Sequence, residues 1–349
     1  MLAKLVNSST SSSSLNPLLK LAVVLLALFI VLEVITRTVL FPMSLDFGRF
    51  VSYRERADAL QSQAGLRVAF IGNSATEAGV DVDVLKDTLS TNGVLVPSVE
   101  LFLADGSGIN TWRVIMNHYF WKRGNAPDLV IITFFGPSLD DAREFEVGRL
   151  AQFFTDLEDW PELFQFDLVT TGQRVEWVLA SVWATYAARD RIKDRVLSLF
   201  VPNYKEYATV LHDEGYRDAL KKGAPRTSVV KSHRSLQSVL QRARKLGSRL
   251  LFVAYPMRDT QYTVHPDALR LIRDFGADYL DMRDLIDLEP TLYRDTYHLT
   301  ATGKSIYTKR FAEVLAPMLR TLGRSGRLAD TATGTTPVSG PVALPSSMK

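Results

Sequence analysis

The longest clean apolar run in the chain is Leu21–Leu32, LAVVLLALFIVL, in which no side chain carries a polar atom. Glu33 and Arg37 then interrupt a continuation that ends in Val39-Leu40-Phe41. A helix that crosses a bilayer needs about 20 mostly apolar residues. Leu21–Phe41 meets that length if Glu33 and Arg37 are tolerated. The two stand at i, i+4, where opposite charges pair on one helix face, and near one end, from which long side chains reach the headgroups. A cleaved signal peptide competes with this reading, but the flank EVITRTVLFPM offers no small-x-small cleavage site. A buried core helix is the third reading. The Ser-rich stretch Ser8–Ser14 favours a disordered tail leading into an anchor. Lys4 and Lys20 lie on one side of the run and Arg37, Arg49, Arg54 and Arg56 on the other, so charge alone does not orient it.

Beyond Pro42 a connector is expected, with an amphipathic stretch around Tyr53–Gln63. After it the period changes. Arg67–Ile71, ending at Gly72, reads as a buried parallel strand. Val82–Leu89 has helical spacing. Val99–Leu103 is a second strand, closed by the turn residues Asp105-Gly106-Ser107-Gly108. Trp112–Trp121 reads as a helix and Asp128–Phe135 as the strongest strand. From about Ser138 to Pro225 the alternation breaks into a helical segment, as in Arg174–Leu199, with Trp160, Phe164, Trp177, Trp183 and Tyr186. Those aromatics read as core packing first and as a cap over a substrate groove second. Alternation then resumes: helix Ser232–Leu246 stopped by Gly247, strand Arg249–Tyr255, helix Pro266–Phe275, strand Asp278–Asp281 and a final amphipathic helix Ser305–Leu322.

Strands alternating with helices predict an α/β fold, a three-layer parallel sheet flanked by helices. The expected layout is a disordered N-terminus 1–17, an anchor 18–42, a connector 43–66, an α/β domain 67–322 with a helical insertion at about 138–225, and a disordered tail 323–349 rich in Gly, Thr, Ser and Pro. Composition is that of a globular protein, 46% apolar and 23% charged over 349 residues. The net charge of +3 is spread along the chain, so nucleic acid is not an expected partner. There is no cysteine, which removes disulfides, thiolate catalysis and Cys-ligated zinc.

Ligands of such sheets sit beyond the carboxyl ends of the strands, so the residues just after each strand matter most. After the first strand comes Gly72-Asn73-Ser74-Ala75-Thr76-Glu77. A serine on a sharp strand-to-helix turn presents its hydroxyl above the sheet and its N–H to a developing oxyanion. After the second come Gly106 and Gly108, where backbone can approach a ligand closely. After the third comes Gly136-Pro137-Ser138. Each of these alone is an ordinary turn. Near the C-terminus, Asp295-Thr296-Tyr297-His298 precedes the last helix. A serine nucleophile needs a base of near-neutral pKa, which suits imidazole, and an acceptor to hold that imidazole's tautomer. Of the five histidines, His118, His212, His233, His265 and His298, only His298 has an aspartate three residues before it.

Taken in this order and spacing, Ser74, Gly108, Gly136, Asp295 and His298 resemble the blocks of the SGNH (GDSL-like) hydrolase superfamily, over roughly Arg67–Leu322. Gly108 is chosen over Gly106 because it better matches the second glycine of the family's Gly block. The resemblance implies a nucleophile Ser74, a base His298 oriented by Asp295, and oxyanion donors at the Ser74 and Gly108 amides. Two residues depart from the pattern. Asn73 stands where the first block has Asp, a position outside the triad. The third block reads Phe135-Gly136-Pro137-Ser138, without the Asn that donates to the oxyanion; losing such a donor costs about two to three orders of magnitude in rate. Asn110 and Ser138 are the candidate replacements.

With its anchor and insertion the chain is similar to the membrane-anchored subset of that superfamily that works in polysaccharide or cell-envelope O-acylation, often beside a multispanning acyltransferase. The similarity implies an esterase or O-acetyltransferase acting outside the cytoplasm on an acylated glycan through an acyl-Ser74 intermediate. Two alternatives remain open: a weak or inactive module that binds a glycan or assembles an acylation complex, and a cytoplasm-facing lipase-like enzyme. No cofactor is implied, since the sequence has no phosphate loop, dinucleotide fingerprint or metal-ligand spacing.

Overall fold

A computed structural model describes residues 16–141, 146–204, 206–207, 232–258 and 262–331, with 323–331 described by backbone alone. The expected tails up to residue 15 and beyond 331, part of the insertion and His212 lie outside these residues.

Helix α1, Pro17–Ile35, starts with Pro in its first turn and Asn16 as cap, whose Oδ1 accepts from the Leu18 amide. The rise continues through a wider turn at Thr36–Leu40 and a last turn Phe41–Met43. Among the described residues, this Pro17–Met43 segment of 27 residues is the one helix long and apolar enough to cross a membrane; a signal sequence has the same character. None of α1 is buried. Glu33 and Arg37 do pair, with Arg37 Nε donating to Glu33 Oε1 at 2.9 Å.

The expected connector is instead a structural helix. Helix α2, Leu45–Ser62, buries Phe47, Phe50, Tyr53, Ala57 and Leu60. These recur every three or four residues, so they form one stripe against the sheet. The Tyr53 hydroxyl does what a neighbouring strand would do: it donates to the Leu103 carbonyl at 2.6 Å and accepts from the Leu103 amide at 2.7 Å. Burial pushes this phenol's pKa up to about 12, so it keeps its proton.

The sheet has five parallel strands: β1 Arg67–Gly72, β2 Ser98–Leu103, β3 Leu129–Phe134, β4 Arg249–Ala254 and β5 Asp278–Asp281. Their order is β2-β1-β3-β4-β5. This is the doubly wound order whose switch point falls between β1 and β3, where a crevice opens at the carboxyl ends. All six residues of β3 are buried, as a strand covered on both faces requires. One face carries α2, helix α3 (Ile109–Met116), helix α4 (Arg234–Leu246) and helix α5 (Pro266–Asp274). The other carries helix α6 (Val82–Thr91) and helix α7 (Ala301–Thr331). Gly247 ends α4 in the left-handed conformation at φ 74°. Helix α7 runs past Gly323, where a tail was expected.

The described part of the insertion is helical, as its period indicates: helix α8 Trp160–Phe166, helix α9 Thr171–Val182, a single turn Ala184–Ala187 and helix α10 Arg189–Phe200. Trp177 packs edge-on against Phe164 and donates to Thr155 Oγ1 at 3.0 Å, in keeping with a core role. Trp160 is exposed, and Trp183 meets Phe29 of α1.

Candidate active site

Gly72 ends β1 where no side chain fits: a Cβ there would lie 1.9 Å from Thr76 Oγ1. The chain therefore turns at once into a short helix, Ser74–Gly79. Asn73 caps it, its Oδ1 accepting from the Ala75 amide at 3.1 Å. Ser74 is the first residue of that helix, so its N–H has no acceptor within the helix. Asn73 is buried, and its Nδ2 donates to the Ser107 carbonyl at 3.2 Å, tying the loop after β1 to the loop after β2.

The second loop is held just as tightly. Ser107 Oγ donates to the Ala104 carbonyl and accepts from Trp112 Nε1 at 2.9 Å. Gly108 is extended, and a Cβ on it would stand 2.9 Å from the Ser138 carbonyl oxygen. Glycine is required here for close approach of two backbones. Ile109 seals that approach by donating its N–H to the same oxygen at 2.8 Å. The Gly108 N–H makes no backbone hydrogen bond among the described residues.

The third loop holds Ser138, one of the two candidate replacements for the missing asparagine. Gly136 turns at φ 52°, and Ser138 Oγ donates back to the Phe135 carbonyl at 2.6 Å. Asn110 is buried with its amide donating to Asp167 Oδ1 at 2.8 Å. Each candidate replacement for the missing asparagine thus makes at least one hydrogen bond to a partner other than Ser74. Asn110 belongs to a buried polar network with Arg113, which also donates to Asp167 at 2.6 Å. Asn110 lies two residues after Gly108, while its partner Asp167 lies 57 residues further on.

The His298 loop completes the arrangement. Tyr293 and Leu299 pair antiparallel, and the Arg294 N–H donates to the His298 carbonyl at 2.8 Å. Within this hairpin Asp295 Oδ1 accepts from the amides of Tyr297 and His298 at 3.0 and 2.9 Å. Asp295 Oδ2 lies 2.7 Å from His298 Nδ1, and His298 Nε2 lies 2.9 Å from Ser74 Oγ. A carboxylate only accepts, so it selects the Nδ1–H tautomer and leaves Nε2 free to accept from the serine hydroxyl. Desolvation alone would raise the Asp295 pKa; hydrogen bonds from the His298 ring and the two amides outweigh it and hold the carboxyl below its ordinary value. Tyr297 stacks on Phe135 at 4.9 Å, so the end of β3 braces this hairpin.

The other described histidines have structural partners. His233 Nδ1 lies 3.2 Å from the Leu139 carbonyl, and His265 caps α5 by accepting from the Asp267 amide. His118 converges with Asp156 and Asp159 as a possible ligand set, which the sequence hid because the aspartates lie far along the chain. The Lys122 ammonium stands 2.6 Å from Asp159 and 3.6 Å from Asp156, where a cation would sit. Burial lowers the His118 pKa. A cluster that the sequence did not reveal also supports the site itself. Arg49 of α2 reaches Glu77, three residues after Ser74, at 2.8 Å, and Asp105 at 3.0 Å.

No family model and no curated protein matches this chain. Among solved structures it is similar to the lipase/acylhydrolase from Enterococcus faecalis, at 9% identity over 72% of this chain and 95% of that one, with a TM-score of 0.37. It is also similar to an acetyl xylan esterase, at 15% identity over 71% of this chain and 98% of that one, with a TM-score of 0.33. Likenesses this distant carry no argument. The sheet order and the geometry around Ser74 stand without them.

Proposed function

We propose that this chain is a membrane-anchored serine esterase or O-acyltransferase of the SGNH type, acting outside the cytoplasm on an acylated, exported or cell-surface glycan. The observation that carries the chemistry is the continuous line Ser74 Oγ, His298 Nε2, His298 Nδ1, Asp295 Oδ2, with steps of 2.9 and 2.7 Å between residues. These are the distances of working hydrogen bonds, and they join residues 224 positions apart.

In the proposed reaction Ser74 Oγ attacks the carbonyl carbon of an ester, and its proton passes to His298 Nε2. The Ser74 and Gly108 amides receive the negative charge that develops on the carbonyl oxygen. Asp295 stays ionised and balances the imidazolium. The tetrahedral intermediate collapses by breaking the bond to the leaving oxygen, which takes the proton from His298. The acyl group is then an ester of Ser74. In the second half-reaction His298 removes a proton from the acceptor, which attacks the acyl carbon; the bond to Ser74 Oγ then breaks, and Oγ takes that proton from His298. Water as acceptor makes the chain an esterase; a sugar hydroxyl makes it a transferase. The glycan, the acetyl group and a multispanning acyltransferase partner follow the family resemblance and the apolar N-terminal helix.

A second reading is a weak or inactive module that binds a glycan or assembles an acylation complex. The third block Phe135-Gly136-Pro137-Ser138, which lacks the family's asparagine, favours it. Labelling with a fluorophosphonate separates the two. The enzyme reading expects label on the wild-type chain and none on S74A; absence of Ser74-dependent label near neutral pH supports the module.

A further inference from the structure

Helix α9 is apolar on two faces. Trp177 and Ala180 point into the insertion and are buried. Val175, Val178, Leu179 and Val182 are 52%, 47%, 38% and 63% exposed. These four recur at i, i+3, i+4 and i+7, which is one stripe along the helix, bordered by the charged Arg174 and Glu176; an apolar stripe flanked by charge is the pattern of a helix lying in a membrane interface.

The stripe leads directly to the apolar N-terminal helix. The residues after α9 are where the insertion grips α1. Glu33 Oε1 accepts from the Ala184 amide at 2.8 Å and Oε2 from the Thr185 amide at 3.1 Å. Thr36 Oγ1 and Thr185 Oγ1 lie 3.0 Å apart. Phe29 packs on Trp183 at 5.2 Å, and Trp183 stacks on Tyr186.

Length along α1 then sets the depth. From Pro17 to Glu33 the helix rises roughly 24 Å at about 1.5 Å per residue, short of the ~30 Å hydrocarbon layer. A bilayer crossed by α1 therefore extends to the level of Glu33 and Thr36, where Trp183 and the end of α9 stand. Trp183 and Tyr186 are also the residue types that collect at the headgroup boundary.

We infer that α9 is an interfacial helix whose Val175–Val182 stripe lies in the lipid of the same bilayer that α1 crosses. The inference rests on reading α1 as a membrane span. It links the membrane to the site. Helix α9 packs against the turn Val147–Arg149, where a Cβ on Gly148 would stand 2.5 Å from the Ala187 carbonyl oxygen. Arg149 of that turn donates to the Asp105 carbonyl in the loop that carries Gly108. A bilayer-held α9 thereby holds the site near the membrane surface, at the height of a substrate presented there.

The absence of cysteine makes the test clean. Single-cysteine variants V178C, V182C, I30C and R270C of the full chain are labelled with an environment-sensitive fluorophore. Each is reconstituted in phosphatidylcholine–phosphatidylglycerol vesicles with and without doxyl-labelled lipid. Ile30 reports the span, and Arg270, on the exposed side of α5, reports water. The inference expects quenching at V178C and V182C as strong as at I30C and several-fold stronger than at R270C. Quenching at I30C alone overturns it and leaves the span standing. Quenching at neither I30C nor the stripe removes the span, and the inference with it. A stripe label that is shielded from water yet unquenched by doxyl lipid means a second copy covers α9, which also overturns it.

Discussion

Asn73 Nδ2 lies 3.2 Å from the Ser107 carbonyl oxygen, and this contact fastens the turn carrying Ser74 to the turn carrying Gly108. The same side chain accepts from the Ala75 amide, so the position uses a donor and an acceptor together. An amide has both, while an ionised carboxylate only accepts. N73D therefore sets two oxygens against each other at neutral pH. The expected cost to the joined loops is about 1–3 kcal/mol, read as a fall in both kcat and melting temperature at pH 7. N73S keeps a cap and loses the bridge, so it should lose less stability than N73D. Equal activity of N73D and wild type at pH 7 would mean that the bridge does not order the site.

Gly106 and Gly108 separate two reasons for a glycine in one loop. Gly106 has φ 64° with open space where a Cβ would go. G106A pays a backbone cost of about 1–2 kcal/mol and is expected to keep its rate. Gly108 has ordinary backbone angles but faces the Ser138 carbonyl. G108A must push the two loops apart and displace the oxyanion donor we propose there, with an expected rate loss of up to about two to three orders of magnitude. Steady-state kinetics on both variants, beside their melting temperatures, distinguishes these effects.

The contrast between local and distant relationships explains what was legible in the sequence. Strands such as Leu129–Phe134 were legible because burial on both faces leaves an unbroken apolar run. Asp295 and His298 were legible because a carboxylate reaches an imidazole three residues later, and Ser74 because it follows a strand and a glycine. Helix α2 was only half legible, since the charges that mark its polar face, Arg54, Glu55, Arg56 and Asp58, cluster after Tyr53, while the first half shows only Asp46 and Arg49. The continuation of α7 beyond Gly323 was hidden by tail-like composition. The fates of Asn110 and Ser138 were illegible for another reason. Partner choice among polar side chains is set by tertiary packing, and Asp167 has no local signature that couples it to Asn110. The grip of Arg49 on Glu77 and Asp105 is the same kind of relationship.

The Asp295 carboxyl has a lowered pKa in the folded chain. The unfolded chain, with a value near 3.9, binds the proton more tightly. Its stabilisation is therefore fully present above the unfolded pKa and is lost as pH falls through the folded pKa. Melting temperature measured from pH 7 down to pH 3 should decline less steeply for D295N than for wild type. At pH 7 D295N should lose about 10³-fold or more in rate, because an amide no longer enforces the imidazole tautomer. Parallel pH–stability curves for the two proteins would contradict the assigned hydrogen bonds.

Glu33 accepts from the amides of Ala184 and Thr185. E33A leaves those two N–H groups without their carboxylate, at an expected cost of about 1–3 kcal/mol. Hydrogen exchange on the full chain in detergent should show faster exchange at Ala184 and Thr185 in E33A, with Ser74–Gly79 unchanged. Unaltered exchange at those amides would mean that α1 and the insertion are not coupled through Glu33.

The most direct measurement is hydrolysis of a small acetyl ester by the full chain in detergent micelles, with S74A and H298A beside it. The whole of α2 must be kept, because Phe47 and Phe50 lie in the core; a fragment beginning at Tyr53 would cut it. The account predicts turnover by the wild type and a loss of several orders of magnitude in each variant, with melting temperatures close to wild type. Turnover that survives in S74A, or a wild type that neither turns over ester nor takes a fluorophosphonate on Ser74, would contradict it.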